Sequence, residues 1–362
     1  MLELFTREMA RLYPTCEVIG LDHSAELGPV FGFAEGLRAG PRLRGVLGRA
    51  EESVLRLAPD AVALVSFSGL HLPLGGRLRR RGVPVLYLGP PQVWAWGSWR
   101  KRRLRKAADK VVCLFRFEEE LLRRAGVNAV YLGYPLLDGA ASTLSRGETL
   151  EKLGFGPSEH YVVFLPGSRP VEIAYHQPLF AEVLAKLRRT VAGVRGVMVA
   201  MEAGPESKVQ GPRSEVRSQL AAGEMVVVRE NRHDVMRHAD CACAVSGTVT
   251  AELAILGVPM VVSYHLPWLS RVLARALVRS SHFALPNILA GTQLVPERLE
   301  PKPEELARML VSLLRDPEAR RRQLDGLVRV ATDMGPPGAM ARICALAHDL
   351  GGGGAQRAAG CT

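Results

Sequence analysis

The feature that most constrains the fold is a repeated alternation of short apolar runs with longer segments of helical periodicity. Three apolar runs of strand length lie in the first half of the chain, at 61–65, 83–88 and 110–114. The segments between them have a helical period and carry basic residues on one face. Such alternation is typical of parallel sheets covered by helices. The sequence therefore predicts an α/β fold.

A second series of apolar runs follows a loop at 139–147 and predicts a complete doubly wound sheet. The runs lie at 161–165, 196–200, 225–228, 241–245 and 258–262, with helices between them such as 177–190 and 250–256. The chain has 362 residues, which exceeds the roughly 250 to 300 at which single cores stop growing. We predict two Rossmann-like domains, 1–145 and 146–335, with a C-terminal helix at 336–350 packing back on the first.

Both ends of the chain depart from that pattern. A helix-like segment at 2–12 and a short strand at 17–20 stand where a doubly wound domain normally begins with a strand and a tight turn. The first domain is therefore expected to lack its leading strand. Four glycines at 351–354, followed by small residues, predict a disordered tail over 351–362.

Composition limits the location and the partners. No apolar run reaches the roughly 18 residues that span a membrane, and the N-terminus does not resemble a signal peptide, so we expect a cytoplasmic protein. The six cysteines are dispersed and no Cys or His set has zinc spacing, so neither a disulfide framework nor a metal is expected. The net charge of +11 suits nucleic acid, an anionic bilayer or a phosphorylated substrate equally.

One short segment, PPQVWAW, carries two of the four tryptophans, Trp94 and Trp96. It lies within a stretch from Arg77 to Lys106 that contains ten Lys or Arg and no Asp or Glu. An aromatic edge beside many cations suits a surface that contacts something both apolar and anionic. A solvated helix face and tryptophans packed in a core are the alternatives.

A strand-to-helix turn at Gly167, Ser168 and Arg169 has the groups that bind phosphate. Backbone N–H groups at such a turn point outward with the positive end of the helix dipole, and arginine supplies two parallel donors. An ordinary turn with an exposed arginine is the alternative.

A similar turn follows about eighty residues later and adds a carboxylate. Its hydroxyls and N–H groups can cap the next helix and donate to phosphate, and its acid can accept from the vicinal hydroxyls of ribose. The residues concerned are Ser246, Gly247, Thr248, Thr250 and Glu252. A helix capping box explains the local pattern equally well, but together the two turns suggest a nucleoside diphosphate.

Several common motifs are missing from the sequence. It contains no Gly-x-x-x-x-Gly-Lys-Ser/Thr loop, no Gly-x-Gly-x-x-Gly after a strand and no Gly-x-Ser-x-Gly elbow. These absences disfavour an NTPase, a dinucleotide oxidoreductase and a serine hydrolase. A nucleotide bound as a leaving group remains, which indicates group transfer.

Taken together, the motifs resemble those of lipid-A-disaccharide synthases, membrane-associated glycosyltransferases of the B-type fold. The matching stretches run in family order over about 60–300, namely 91–96, 117–118, 133–138, 165–172, 246–252, 259–264, 285–291 and 295–297. The resemblance implies transfer of 2,3-diacylglucosamine from its UDP derivative to 2,3-diacylglucosamine 1-phosphate. A β-1,6 disaccharide and UDP would form by a single inverting displacement that needs no cofactor.

The resemblance also implies roles for individual residues. Arg169 and Asn287 fall on positions associated with activity, Glu252 falls on the ribose contact, and Trp94 and Trp96 fall near the acyl chains and the acceptor. Two domains would face a central cleft, with the first on the acceptor and membrane side. The implied location is the inner face of the cytoplasmic membrane, on an anionic surface, and family members can associate as homodimers.

Two departures from the family pattern bear on activity. The family's opening strand and Ser-Gly-Asp turn have no counterpart in the sequence, so we expect the chain to begin one element late. Its Asp-x-Pro-Asp-Phe-Asn segment aligns with residues 66–71, where both carboxylates are replaced. His71 is a candidate base because imidazole titrates near pH 6.5; a hydrogen-bonded structural histidine is the alternative.

The sequence is compatible with three functions. The first is a glycosyltransferase of lipid A biosynthesis, and the second is a non-catalytic relative that binds UDP-sugar or anionic lipid. The third, a nucleic-acid-binding protein, rests only on charge and the tryptophans, and because no nucleic-acid module is recognised we expect no such partner. Within the same fold, a UDP-sugar epimerase or a peptidoglycan-type N-acetylglucosaminyltransferase competes, but 94–96 and 286–291 suit neither.

Overall fold

The structure, a computed structural model, describes residues 1–22, 40–95, 97–140, 142–200, 225–265 and 281–358. Contacts divide these residues into two compact units. One runs from Met1 to Gly139 and includes the segment from Met334 onward, and the other runs from Ala140 to Asp333. We placed the domain boundary at residue 145, whereas the chain leaves the first unit after Gly139.

Helices and strands alternate along most of the chain. The first unit contains, in order, α1 (Leu2–Leu12), α2 (Gly40–Leu57), β1 (Val62–Val65), α3 (Ser68–Arg80), β2 (Val85–Leu88), α4 (Arg100–Ala107), β3 (Lys110–Cys113), α5 (Arg116–Arg123), β4 (Ala129–Tyr131) and a 3-10 turn, Pro135–Asp138.

The second unit continues with α6 (Arg146–Leu153), β5 (Tyr161–Leu165), α7 (Pro170–Thr190), β6 (Arg195–Val199), β7 (Met225–Val228), α8 (Arg232–Arg237), β8 (Cys241–Val245), α9 (Thr248–Ile255), β9 (Met260–Tyr264), α10 (Leu285–Ala290), β10 (Glu297–Leu299), α11 (Pro303–Arg315) and α12 (Pro317–Asp333). The chain then returns to the first unit as α13 (Ala339–Ala358).

The first sheet is parallel, with strand order β1-β2-β3-β4. Its strands are buried on both faces, and side chains alternate between two helical layers. Val85 and Tyr87 pack with residues of α2 to α5, whereas Leu86 and Leu88 pack with residues of α1 and α13. Because right-handed crossovers between sequential strands put every connecting helix on one face, the two terminal helices cover the other.

Two predictions about the chain ends were wrong. Residues 17–20 form no strand; Val18 instead packs against the layer made by α1 and α13. Helix α13 continues through the four glycines to Ala358, although glycine weakens helices. The buried face of that helix, which includes Ile343 and Cys344, packs on the sheet. This packing stabilises the helix and so favours its continuation into the following turns. Residues 359–362 lie outside the described part of the chain.

The second sheet has six parallel strands in the order β10-β9-β8-β5-β6-β7. It contains the five strands that we predicted and adds β10, which has only three residues. Strand order reverses between β5 and β8, so the carboxyl ends of these two strands flank a topological switch point, the usual ligand site of doubly wound sheets. The prediction of an α/β fold with two Rossmann-like parallel sheets is confirmed. Within the described ranges, none of the helices has both the length and the apolar composition needed to cross a bilayer.

Candidate functional site

The turn after β5 reaches the switch point in a conformation that requires glycine. Gly167 has φ +104°, and a Cβ there would lie 2.5 Å from Oε2 of Glu172. Ser168 and Arg169 follow on the surface, and α7 begins at Pro170. This close approach allows the first turn of α7 to fold against the loop.

Glu172 ties this turn together. Its Oε2 accepts from the backbone N–H groups of Ser168, at 3.3 Å, and Arg169, at 3.4 Å. Its Oε1 accepts from Nη1 of Arg169 at 2.7 Å, while the arginine side chain stays 51% exposed. Three donors thus converge on one anionic group at a helix N-terminus, which is the donor set that a phosphate oxygen would use. Sequence reasoning did not assign Glu172 this contact.

The turn after β8 lies on the other side of the switch point. Ser246 Oγ donates to the carbonyl of Phe283 at 2.7 Å, and Gly247 and Thr248 are exposed. Thr250 is fully buried and its hydroxyl donates to the carbonyl of Gly247 at 2.8 Å. Contrary to our expectation of a substrate contact, Thr250 shapes the turn, because its oxygen faces the protein.

Glu252 stands two residues further along α9 and is 6% exposed. Its Oε2 lies 3.3 Å from Nη2 of Arg232 and 3.3 Å from Nε2 of His233. These two residues begin α8 directly after Asn231, which adopts a left-handed conformation at φ 50°. Sequence reasoning missed both, although their position soon after a predicted strand was a usable signal. The pair offsets the cost of burying this carboxylate.

Asn287 is placed differently from what we expected. It is fully buried in α10; its Oδ1 accepts from the N–H groups of Leu294 and Val295 at 2.8 and 2.7 Å, and its Nδ2 donates to the carbonyl of Val295 at 2.9 Å. Every side-chain polar atom is therefore used in fixing the loop before β10. The expectation of a direct catalytic contact is corrected: Asn287 positions a loop.

The carboxyl edge of the first sheet contains residues 66–71, where the sequence offered His71 as a candidate base. Ser66 and Phe67, directly after β1, have φ values of 54° and 38°. Two successive non-glycine residues in the left-handed region are strained, and such strain clusters at functional sites. Gly89, directly after β2, approaches so closely that a Cβ would lie 3.0 Å from Ser66 Oγ.

His71 lies on the first turn of α3 beside this strained corner. Its Nδ1 is 3.0 Å from the carbonyl oxygen of Ser66, which also accepts from the hydroxyl of Tyr87 at 2.8 Å. A carbonyl can only accept, so Nδ1 carries the proton and Nε2 keeps a lone pair. Burial lowers the pKa of His71 below 6.5, which favours the neutral ring.

Trp94 is anchored near the same edge by a residue that sequence reasoning noted only as part of a family motif. Its Nε1 donates to Oε1 of Glu118 at 3.0 Å, and its ring meets Phe117 edge to face. Trp94 is half-buried and Glu118 is buried. Trp96 lies outside the described residues, so its predicted contact is not located.

The basic helix α4 presents cations beside an exposed tryptophan. Trp99 is 55% exposed, and the Arg103 guanidinium lies 4.6 Å from the centre of its ring. A neighbouring cavity of about 450 Å³ is lined by Ser98, Trp99, Lys101, Arg102, Arg105 and Ala125. Within the described ranges, no group of three or more His, Cys, Asp or Glu could hold a metal ion.

Comparison with known proteins gives matches over most of the chain. The family model described as lipid-A-disaccharide synthetase matches residues 20–331. A lipid-A-disaccharide synthase of Syntrophus aciditrophicus is 32% identical over 317 residues, covering 85% of this chain and 81% of the relative. A Burkholderia thailandensis protein of the same name is 36% identical over 308 residues, covering 84% and 77%.

A comparison of solved structures finds the same architecture at low sequence identity. The S. aureus MnaA-UDP co-structure superposes with a TM-score of 0.61 at 13% identity, covering 95% of this chain and 92% of that one. A similarity at this identity indicates the fold alone. That fold has two Rossmann-like parallel sheets, as in glycosyltransferases of the B type.

Proposed function

The chain belongs to the lipid-A-disaccharide synthase family of glycosyltransferases, and we propose that it transfers 2,3-diacylglucosamine from its UDP derivative to 2,3-diacylglucosamine 1-phosphate. The products are the β-1,6 lipid A disaccharide and UDP. The observation that carries the proposal is the pair of turns at the switch point of the second sheet, with Arg169 exposed on one of them.

The second unit is proposed to hold the UDP portion of the donor. The Arg169 guanidinium and the N–H groups of Gly167, Ser168 and the turn from Ser246 to Thr248 stabilise the charge that develops on the departing diphosphate. In the structure these donors at Ser168 and Arg169 bind the carboxylate of Glu172. They can bind phosphate only when Glu172 releases them. Glu252 is proposed to accept from the ribose hydroxyls, with Arg232 and His233 holding its carboxylate in place.

His71 is proposed as the general base. The acceptor's 6-hydroxyl gives its proton to Nε2 of His71 while its oxygen bonds to the anomeric carbon of the donor. The bond from that carbon to the diphosphate breaks at the same time, and its electron pair leaves with UDP. The hydrogen bond from Nδ1 to the carbonyl of Ser66 supports this role because it fixes the tautomer whose Nε2 can accept a proton.

A direct assay tests this function. The purified full chain is incubated with both substrates in detergent micelles, and the disaccharide and UDP are measured separately. Equal amounts of the two products are expected. If neither accumulates above a no-enzyme control, the assignment fails.

A second candidate function is favoured by one observation: no carboxylate stands at residues 66–69, where the family pattern has two. The chain would then bind UDP-sugar or anionic lipid without transferring the sugar. Calorimetric binding of UDP by protein that shows no turnover supports this alternative, whereas turnover excludes it.

The first unit is proposed to lie on an anionic membrane surface at the inner face of the cytoplasmic membrane. Lys101, Arg102 and Arg105 line one cavity with the exposed Trp99, and together they suit lipid phosphates at an interface. Trp94 and Trp96 are proposed to lie near the acyl chains and the acceptor. Homodimer formation stays a prediction that sedimentation velocity can test.

Vesicle binding tests the membrane proposal. Replacing Arg102 and Arg105 with glutamine should weaken binding to phosphatidylglycerol vesicles by about 1 kcal/mol per cation. Replacing Arg321 and Arg322, which are exposed on α12, with glutamine is the matched control and should change little. Equal loss in both double variants would mean that net charge, rather than this surface, governs binding.

A further inference from the structure

The loop between β2 and α4 carries Trp94 and depends on a small number of anchors. The flanking residues Val93 and Ala95 are buried, at 4% and 8% exposure, and fix the backbone. The indole of Trp94, between them, is half-buried, and contacts of the side chain itself set its orientation. The only polar atom of that indole, Nε1, donates to Oε1 of Glu118.

The carboxylate of Glu118 accepts hydrogen bonds from three N–H groups. Its Oε1 accepts from Trp94, and its Oε2 accepts from the backbone N–H groups of Leu114 and Phe115, at 3.0 and 3.1 Å. The residue is 3% exposed and stands in the first turn of α5. Donors converging from the loop and from the helix start match an ionised carboxylate, which only accepts hydrogen bonds.

Packing supports the same orientation of the indole from another side. Trp94 meets Phe117 edge to face, with centroids 5.4 Å apart, and Phe117 stacks on Phe115 at 5.9 Å. Phe117 is 37% exposed, so this aromatic group reaches the surface. If the hydrogen bond to Glu118 is lost, the ring contact remains, and the expected result is a reoriented indole in a folded protein.

Burial of Glu118 favours the protonated form of its carboxyl. Burial raises the pKa of its carboxyl from 4.5 to about 7, against the lowering effect of Trp94 and the two backbone N–H groups. The Cys113 thiol, at the end of β3, faces Glu118, and burial raises its pKa. On α5 itself, Arg116 lies over the ring of Tyr131, and Glu119 pairs with Arg123.

We propose that Glu118 is a positioning residue: while ionised it holds the Trp94 indole in the orientation used at the acceptor side, and when protonated it releases the indole. A protonated carboxyl would turn an O–H toward a group of N–H donors and lose an acceptor site. The structural half of this inference stands on the contacts of Glu118, and burial of its carboxyl sets the pH range in which it is tested. The kinetic half rests on the proposed acceptor role of Trp94.

The structural half is tested by NMR of the indole N–H groups in the full chain between pH 5.5 and 8.5. The Trp94 resonance is identified by its absence in Trp94→Phe. It should titrate in the wild type with a midpoint near 7 and lose that titration in Glu118→Gln. Glu120→Gln, which alters an exposed ion pair with Arg124 on the same helix, should titrate as the wild type does. A Trp94 resonance that ignores pH, or that still titrates in Glu118→Gln, overturns the inference.

Measurements of kcat and of KM for each substrate distinguish a positioning role of Glu118 from a merely structural one. At pH 8, Glu118→Gln should raise KM for the acceptor about tenfold, the effect of weakening one hydrogen bond to a charged group, and leave kcat and the donor KM nearly unchanged. In the wild type the acceptor KM should rise as pH falls below 7. If the resonance titrates but the acceptor KM does not move, the coupling stands and the proposed acceptor role of Trp94 fails.

Discussion

The carboxyl edges of the two sheets are built by opposite means. In the second sheet a glycine at φ +104° and two helix starts place backbone N–H groups at a switch point. In the first sheet, whose described strands run in sequence order, Ser66 and Phe67 are held at positive φ by side chains that come from elsewhere. Tyr87 from β2 and His71 from α3 both bind the carbonyl of Ser66.

The difference teaches where sequence reasoning succeeds. An edge built from backbone N–H groups can be recognised in the sequence, because its glycine, its hydroxyls and its helix start lie within a few residues of one another. A side-chain-built edge depends on residues that are distant in sequence, and its strain is sustained by packing around it. We therefore expect substitutions at the two edges to differ in their effects on turnover, UDP binding and stability.

The largest effect is expected for His71→Ala in the first-sheet edge. Loss of a general base should lower kcat by about 10²- to 10⁴-fold and leave UDP affinity unchanged, which turnover and calorimetry would check. His160→Ala, a 68% exposed histidine paired with Asp240, is the control. Undiminished turnover would remove His71 from the mechanism and leave the edge with a structural role only.

The pH dependence of His71 follows from its lowered pKa. The wild-type kcat should fall as pH falls through a value below 6.5, because protonation occupies Nε2. The native state also takes up this proton less readily than the unfolded chain, so the free energy of unfolding should decrease on acidification below pH 6.5. His71→Gln should flatten this part of a denaturation series, and an unchanged series would contradict the assignment.

The next largest effect is expected for Arg169→Ala in the second-sheet edge. Removing one donor to the departing diphosphate should lower kcat/KM by about 10²- to 10³-fold. Because the side chain is half exposed, the fold should survive, as circular dichroism would show. Arg322→Ala, an exposed arginine on α12, provides the comparison. Similar losses in both variants would indicate a general charge effect.

A smaller effect, on stability, is expected for Gly167→Ala. A Cβ would meet Glu172 at 2.5 Å in a left-handed backbone, so unfolding should become easier by roughly 1–3 kcal/mol and UDP binding should weaken. Gly147→Ala is the matched control, because beyond the backbone of α6 a Cβ there would meet only Ser145 Oγ, at 4.0 Å. Equal stability of the two variants in urea would show that the turn does not need its glycine.

The smallest effects should sharpen the contrast between the edges. Tyr87→Phe and Thr250→Val each remove a buried hydroxyl that donates to a turn carbonyl, which costs about 0.5–1.5 kcal/mol. After the change each carbonyl keeps a donor: the N–H of Thr250 bonds Gly247 O, and Nδ1 of His71 bonds Ser66 O. Tyr87→Phe should nevertheless cost more and also lower kcat, because the Ser66 carbonyl lies in a strained turn and orients His71. The reverse ranking of the two free energies of unfolding in parallel urea titrations would contradict this difference between the edges.

Much of the second unit could be predicted from the sequence because its signals are local. Buried parallel strands such as 161–165 and 241–245 read as continuous apolar runs, and the Gly167 turn carries its own glycine. Short edge strands gave no such signal: β4 and β10 have three residues each, and neither was predicted. Val18 looked like part of a strand because burial beneath helices produces the same apolar pattern.

The sequence by itself determined the α/β class, the two parallel sheets and the family, since these depend on periodicity and on short motifs in order. Only the tertiary structure decided which atoms of those motifs face outward. Thr250 and Asn287 lie inward because their polar atoms satisfy nearby backbone groups. Glu118, Tyr87, Arg232 and His233 acquire their contacts from distant segments, and a buried polar group takes whichever partner the fold brings within reach.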